Sequence, residues 1–169
     1  MNRKAVAGAL ALSLAVAGHA VSAVSATPID DLSGYWTGAG SVVLANGTTE
    51  KVKCAVTYKV SDGGTQIKQS MRCASADYSI NASADLRVKG AQVSGNWEEK
   101  TYSAVGEVTG RYDGASFVLT IQGANFTAKM NMSLSACKQQ ISITPQGLDV
   151  NRISLGLARS AADGSACNQ

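Results

Sequence analysis

The sequence predicts an all-β fold: an antiparallel up-and-down meander of about 8–10 strands closed into a barrel, with a two-sheet β-sandwich as the alternative. Three observations carry the prediction. After the first 26 residues, apolar and polar residues alternate with a period of two through most of the chain. Turn signals recur at short intervals, among them Asn46-Gly47, Gly63-Gly64, Gly90, Asp113-Gly114 and Gly123. No 11-residue window of this region combines helical periodicity with caps, which leaves room only for a short helix at Asp30 or in the tail. A meander this long has to bury one face and hide its edges, and closure does both. Sandwiches usually need longer crossovers.

The elements follow in order. Gly34 to Leu44 reads as the first strand, closed by Asn46-Gly47. Thr49 to Val60 puts Val52, Cys54, Val56, Tyr58 and Val60 on one face and Lys51, Lys53, Thr57 and Lys59 on the other. Thr65 to Ala74 is next, then a strand marked by Tyr78, Ile80, Ala82, Ala84, Leu86 and Val88. Ala91 to Lys100 and Ser103 to Tyr112 precede the hairpin signal Asp113-Gly114 and the residues Phe117, Leu119 and Ile121. Phe126, Ala128, Met130, Met132 and Leu134 share a face of the next strand. Gln139 to Thr144 and Arg152 to Ala158 finish the set, with Pro145 to Asn151 as the last connection.

The first 26 residues, MNRKAVAGALALSLAVAGHAVSAVSA, read as a secretory signal peptide. Arg3 and Lys4 form the charged region, the apolar run from Ala5 to Ala17 is too short to span a bilayer, and Val-Ser-Ala ends at both Ala23 and Ala26. Cleavage after either alanine leaves about 145 residues, a usual size for one domain. The expected organisation is residues 1–26 as signal, 27–159 as one barrel domain and 160–169 as a tail. The expected location is the periplasm or the extracellular medium. Removing Arg3 and Lys4 from 15 basic residues leaves 13 against 12 acidic ones, a formal charge of +1. The basic residues are scattered singly, which argues against nucleic acid or an anionic membrane as partner, and no stretch after the signal is apolar enough to span a membrane.

All four cysteines, Cys54, Cys73, Cys137 and Cys167, lie in the exported part, so they are expected to form disulfides. A two-residue turn at Gly63-Gly64 sets the register. Facing residues then have numbers summing to 127, so Cys54 faces Cys73, Val56 faces Met71, Tyr58 faces Gln69 and Val60 faces Ile67. Facing residues are close enough for a disulfide. Cys54–Cys73 is the first pair. Cys137–Cys167 follows by elimination and would tether the tail. The absence of a Cys-x-x-Cys spacing argues against zinc and redox catalysis.

The stretch SGYWTGAG opens the first strand with Gly34-x-Trp36. It resembles the Gly-x-Trp opening of lipocalins and, more loosely, of avidins, both calycin-type barrels. The resemblance implies that Trp36 plugs the closed end and that an arginine from the last strand packs on it, with Arg159 in that role and Arg152 as the alternative. It also implies a ligand-holding interior. The Thr-Asp-Tyr segment of lipocalins and the aromatic biotin cage of avidins are missing. The chain otherwise resembles small exported proteins of Gram-negative bacteria with no assigned activity.

The single histidine, His19, lies in the signal, so Ser-His-Asp and Cys-His catalysis and histidine metal sites are not expected. Nucleotide-binding and nucleophile-elbow motifs are missing as well. Paired carboxylates would survive the lack of histidine, with Glu98, Glu99 and Glu107 as candidates. Glu98 and Glu99 are adjacent, so only Glu99 shares the inner parity of Trp97; a rim charge near Lys100 is the simpler reading. Asn46, Asn81, Asn125 and Asn131 begin glycosylation sequons, which matter only in a eukaryotic secretory pathway.

The expected function is therefore non-catalytic: binding of a small apolar or amphipathic ligand in the barrel, or of an envelope partner at its rim. Tyr58, Gln69, Met71, Phe126 and Met130 are the candidate ligand-binding residues, with Gln69 partnered by the Tyr58 hydroxyl. No cofactor and no metal is implied. The alternative is a structural or inhibitory protein with a filled core that acts through its loops, and a carboxylate-based hydrolase using Glu99 or Glu107 is the third.

Overall fold

The computed structural model describes residues 29–160. The expected signal peptide, residues 1–26, and the expected tail beyond Ser160 lie outside the described residues. A 3-10 turn at Ile29–Leu32 leads into ten strands: β1 (Gly34–Leu44), β2 (Thr49–Ser61), β3 (Gln66–Ala74), β4 (Ser79–Lys89), β5 (Gln92–Glu99), β6 (Ala104–Tyr112), β7 (Ser116–Gly123), β8 (Thr127–Ser135), β9 (Lys138–Gln146) and β10 (Val150–Ser160). Each strand pairs antiparallel with its neighbours in sequence, and β10 pairs with β1. The result is a closed barrel, and the sandwich alternative falls away. Closure leaves no strand edge unpaired.

The predicted register holds: Cys54↔Cys73, Val56↔Met71, Tyr58↔Gln69 and Val60↔Ile67. The turn that sets it is wider than expected. The last pair is Ser61↔Gln66, so the loop has four residues, 62–65, and Asp62, Gly63 and Gly64 all take positive φ (56°, 65° and 85°). Gly64 is pressed against Ile29, which leaves no room for a side chain there. The last connection is shorter than expected. β9 runs on through Pro145, which is buried opposite Ala128, and the β9–β10 loop is 147–149.

Cys54 and Cys73 form a disulfide, with Cα atoms 4.1 Å apart. Cys137 is also disulfide-bonded. Its expected partner, Cys167, lies outside the described residues.

One end of the barrel is plugged. Trp36 is fully buried and its Nε1–H donates to the Leu32 carbonyl at 2.8 Å. The Arg159 guanidinium lies 5.7 Å from the Trp36 ring centroid, and its Nη1 donates to the Asp31 carbonyl at 3.0 Å. One arginine thus ties the last strand to the plug and to the 3-10 turn, by cation–π attraction and by a charge-assisted hydrogen bond. Arg152 pairs with Val43 and is exposed on the outer wall. Phe117, Ile67, Gln139 and Val56 pack behind Trp36 with almost no exposure, so this half of the barrel is solid.

The strands tilt against the barrel axis, as closure requires. One rung of the ladder shows it. Gly34 pairs with Tyr58, Tyr58 with Gln69, Gln69 with Ala84, Ala84 with Trp97, Trp97 with Gly106 and Gly106 with Gly123. The rung starts at the plugged end of β1 and finishes at the mouth end of β7.

Candidate functional site

Toward the mouth, the inward-facing side chains of β3–β8 are not sealed. Gln69, Met71, Ala84, Trp97, Ile121 and Met130 share the inward parity but stay partly accessible. Alanines and glycines on this wall remove side-chain volume: Ala82, Ala84, Gly95, Ala104 and Gly106 all face inward. The core is tightest at the plugged end, and toward the mouth these side chains pack against it with less complete burial, outlining a candidate apolar cup.

Two aromatics form one side of the cup. Trp97 of β5 reaches over Gly106 of β6 and donates from Nε1 to the Gln122 carbonyl of β7 at 2.9 Å. A Cβ on Gly106 would meet the indole nitrogen at 2.6 Å. Phe126 folds back over Gly123 in the same way, and the two rings meet at 5.7 Å and 55°, a tilted aromatic pair. Glycine is needed at Gly106 because the Gln122 carbonyl first, and then the neighbouring ring, occupy the space its side chain would fill.

All five predicted ligand-binding residues take the inward parity, but at different depths. Met71, Met130 and Phe126 line the accessible half, and Gln69 stands mid-wall. Tyr58 is buried below them. The expected Tyr58–Gln69 hydrogen bond is replaced by another. The Tyr58 hydroxyl crosses the lumen and donates to Gln139 Oε1 at 3.3 Å, with Met132 Sδ at 4.0 Å. Burial pushes the Tyr58 hydroxyl well above its ordinary pKa, so it stays a neutral donor. Gln139 is fully buried and its Nε2 has no hydrogen-bond partner.

The carboxylates separate. Glu107 and Glu98 face outward, and Lys100 pairs with Glu98 at 3.3 Å rather than with Glu99. Glu99 is buried at the mouth end of β5. Its Oε1 accepts the backbone N–H groups of Asn81 (2.8 Å) and Thr101 (2.9 Å), and its Oε2 accepts that of Tyr102 (2.7 Å). Desolvation raises its pKa, but the Asn81, Tyr102 and Thr101 donors outweigh it and bring the carboxyl down to about 2. Glu99 is thus a clamp for the β5–β6 loop. It does not converge with Glu107, which lies on the other face of the wall.

A folded pKa below the ordinary 4.5 means that stability linked to Glu99 is present above pH 4.5 and is lost as pH falls toward 2. Glu99→Gln is therefore expected to be less stable than the parent at pH 7, with the gap shrinking between pH 4.5 and 2. Denaturant midpoints across that range check this, and a gap independent of pH would contradict it.

Sequence reasoning left three site residues unassigned: Trp97 as cup wall, Gln139 as the Tyr58 partner, and Glu50. Each has a parity signal. Trp97 shares the face of Val93 and Gly95, Gln139 that of Ile141 and Ile143, and Glu50 that of Val52, Cys54 and Val56.

Two shallow depressions of about 660 and 650 Å³ lie on the outer wall. Lys68, Ser83, Asp85, Asn96 and Glu107 line the first, and Lys53, Arg72 and Asn81 line the second. Gln69, Ala84, Trp97 and Gly106 also border the first and Gly38, Cys54, Cys73 and Ile80 the second, so charged side chains frame a largely apolar floor in both.

No known family profile matches the chain, and no curated protein matches it. A solved structure does: the S-type phycobiliprotein lyase from Guillardia theta, at a TM-score of 0.56 and 17% identity, covering 79% of this chain and 91% of that one. At this identity the likeness shows a shared barrel fold and nothing finer.

Proposed function

We propose that this protein is an exported, non-catalytic barrel that binds a small apolar or amphipathic ligand in the mouth half of its interior. The observation that carries the reading is a change in burial along the lumen: the side chains behind Trp36 are sealed, while Met71, Trp97, Ile121 and Met130 toward the mouth stay partly accessible. An apolar cavity with a few polar groups is the usual form of a small-molecule site. Methionines at such a surface adapt to the shape of a ligand. The Cys54–Cys73 disulfide supports an oxidising compartment, the periplasm or the medium. A non-catalytic role is supported by the commitment of Glu99 to backbone donors and by the outward direction of Glu107.

The test is native mass spectrometry of protein purified from its own compartment, set against the same sample denatured. A mass excess carried only by the native form is expected. Equal masses, together with an unfolding temperature unmoved by a lipid and metabolite panel, would overturn the reading. They would favour the alternative of a protein partner at the mouth loops. Tyr102 (66% exposed) and Leu148 (48% exposed) would then be the first contacts to test.

A further inference from the structure

The charges of the wall are sorted by face. Every lysine and arginine on the ten strands takes the outward parity except Arg159, which is committed to the plug. The inward parity carries two acidic residues, Glu50 and Glu99, and both stand at the mouth. Glu99 is occupied by three N–H groups. Glu50, opposite the buried Val42, is not: its Oε2 is buried and has no hydrogen-bond partner. A buried acceptor without a donor is costly in free energy, and the cost falls when a donor arrives.

Two phenols accompany Glu50. Tyr78 sits on the inward parity just before β4, held by its N–H to Ser75 Oγ at 3.2 Å. Tyr102 is in the loop that Glu99 clamps. Burial first, then Glu50, then Tyr102 raise the Tyr78 hydroxyl above its ordinary pKa, which places the three groups within electrostatic reach of one another. Aromatic faces attract cations and gain nothing from anions.

We infer that the mouth selects a cationic amphiphile: a protonated amine on an apolar chain, with the ammonium donating to Glu50 Oε2 beside Tyr78 and the chain in the cup below. This rests on the ligand-binding reading above and names the head group of that ligand. An anionic amphiphile would meet two acidic side chains and no inward-facing lysine.

The test uses the disulfide-intact protein and three chain-matched probes, dodecylamine, dodecanol and dodecanoate, kept below micellar concentrations. Each displaces the neutral fluorophore N-phenyl-1-naphthylamine at neutral pH. Dodecylamine is expected to bind about tenfold more tightly than dodecanol, with dodecanoate weakest. Glu50→Gln should abolish the advantage of the amine over the alcohol, and binding of the neutral fluorophore, which carries no group for Glu50, reports that the cup is intact. In the parent protein, raising salt from about 0.02 to 0.5 M should weaken the amine and not the alcohol. Equal binding of the three probes, or an amine preference that survives Glu50→Gln, would overturn the head-group inference and leave the cup standing. If the fluorophore and all three probes fail to bind, the cup itself is overturned and this inference with it.

Discussion

Trp36→Ala is expected to lower the unfolding free energy by about 4 kcal/mol, the usual cost of removing a large aromatic from a tight core. Three effects combine. The fully buried indole leaves a void that the rigid barrel end cannot collapse to fill. The Leu32 carbonyl loses the Nε1–H donor at 2.8 Å. Arg159 loses the ring it lies over, while its hydrogen bond to the Asp31 carbonyl remains. A domain of this size is stable by about 5–15 kcal/mol, so the variant would be marginal. Trp36→Phe separates the parts. It keeps most of the packing, removes the hydrogen bond, and should cost about 1–2 kcal/mol. Denaturant titration followed by Trp97 emission measures both. A loss under about 1 kcal/mol for Trp36→Ala would mean that the plug does not hold the barrel end.

Replacing Cys54 and Cys73 together by alanine is expected to cost about 3 kcal/mol. The disulfide closes a loop with a sequence separation of 19 residues, and the chain-entropy relation gives about 3 kcal/mol for loops of that length. Much of the effect lies in the unfolded chain, which regains the freedom of the β2–β3 hairpin. The hairpin itself should survive, because Val56↔Met71 and Val60↔Ile67 still pair on the inner face. The double variant should therefore keep its far-ultraviolet dichroism and unfold at lower denaturant. Unchanged stability of the double variant would show that the barrel closes without this crosslink.

Much of the candidate site was legible as parity. Alternation places Tyr58, Gln69, Met71 and Met130 on the inner face, and the structure keeps them there. The failed detail was the Tyr58 partner. Opposed residues in a sheet stand side by side, and a tyrosine ring is long enough to carry its hydroxyl past its neighbour into the lumen. It reaches Gln139 on a strand three places away around the barrel. That contact exists only once the sheet closes. The role of Glu99 was hidden for a related reason. Its donors, Asn81, Thr101 and Tyr102, are backbone groups, and backbone groups carry no sequence signal. The nearby Lys100, which sequence order suggested as its neighbour, points to the outward Glu98 instead.

The sequence by itself determined the strands, their faces and the Cys54–Cys73 register, because a period-two pattern and a glycine turn act within one hairpin. The plug was an expectation of the resemblance carried by Gly34-x-Trp36, and the choice of Arg159 over Arg152 belongs to the closed barrel, where β10 pairs with β1. Only the tertiary structure decided which half of the lumen is solid, where Trp97 and Phe126 come to rest, and which buried polar atoms, Gln139 Nε2 and Glu50 Oε2, are left without partners. Those outcomes depend on the tilt of the strands and on side chains meeting across the barrel, distances that no alternation pattern encodes.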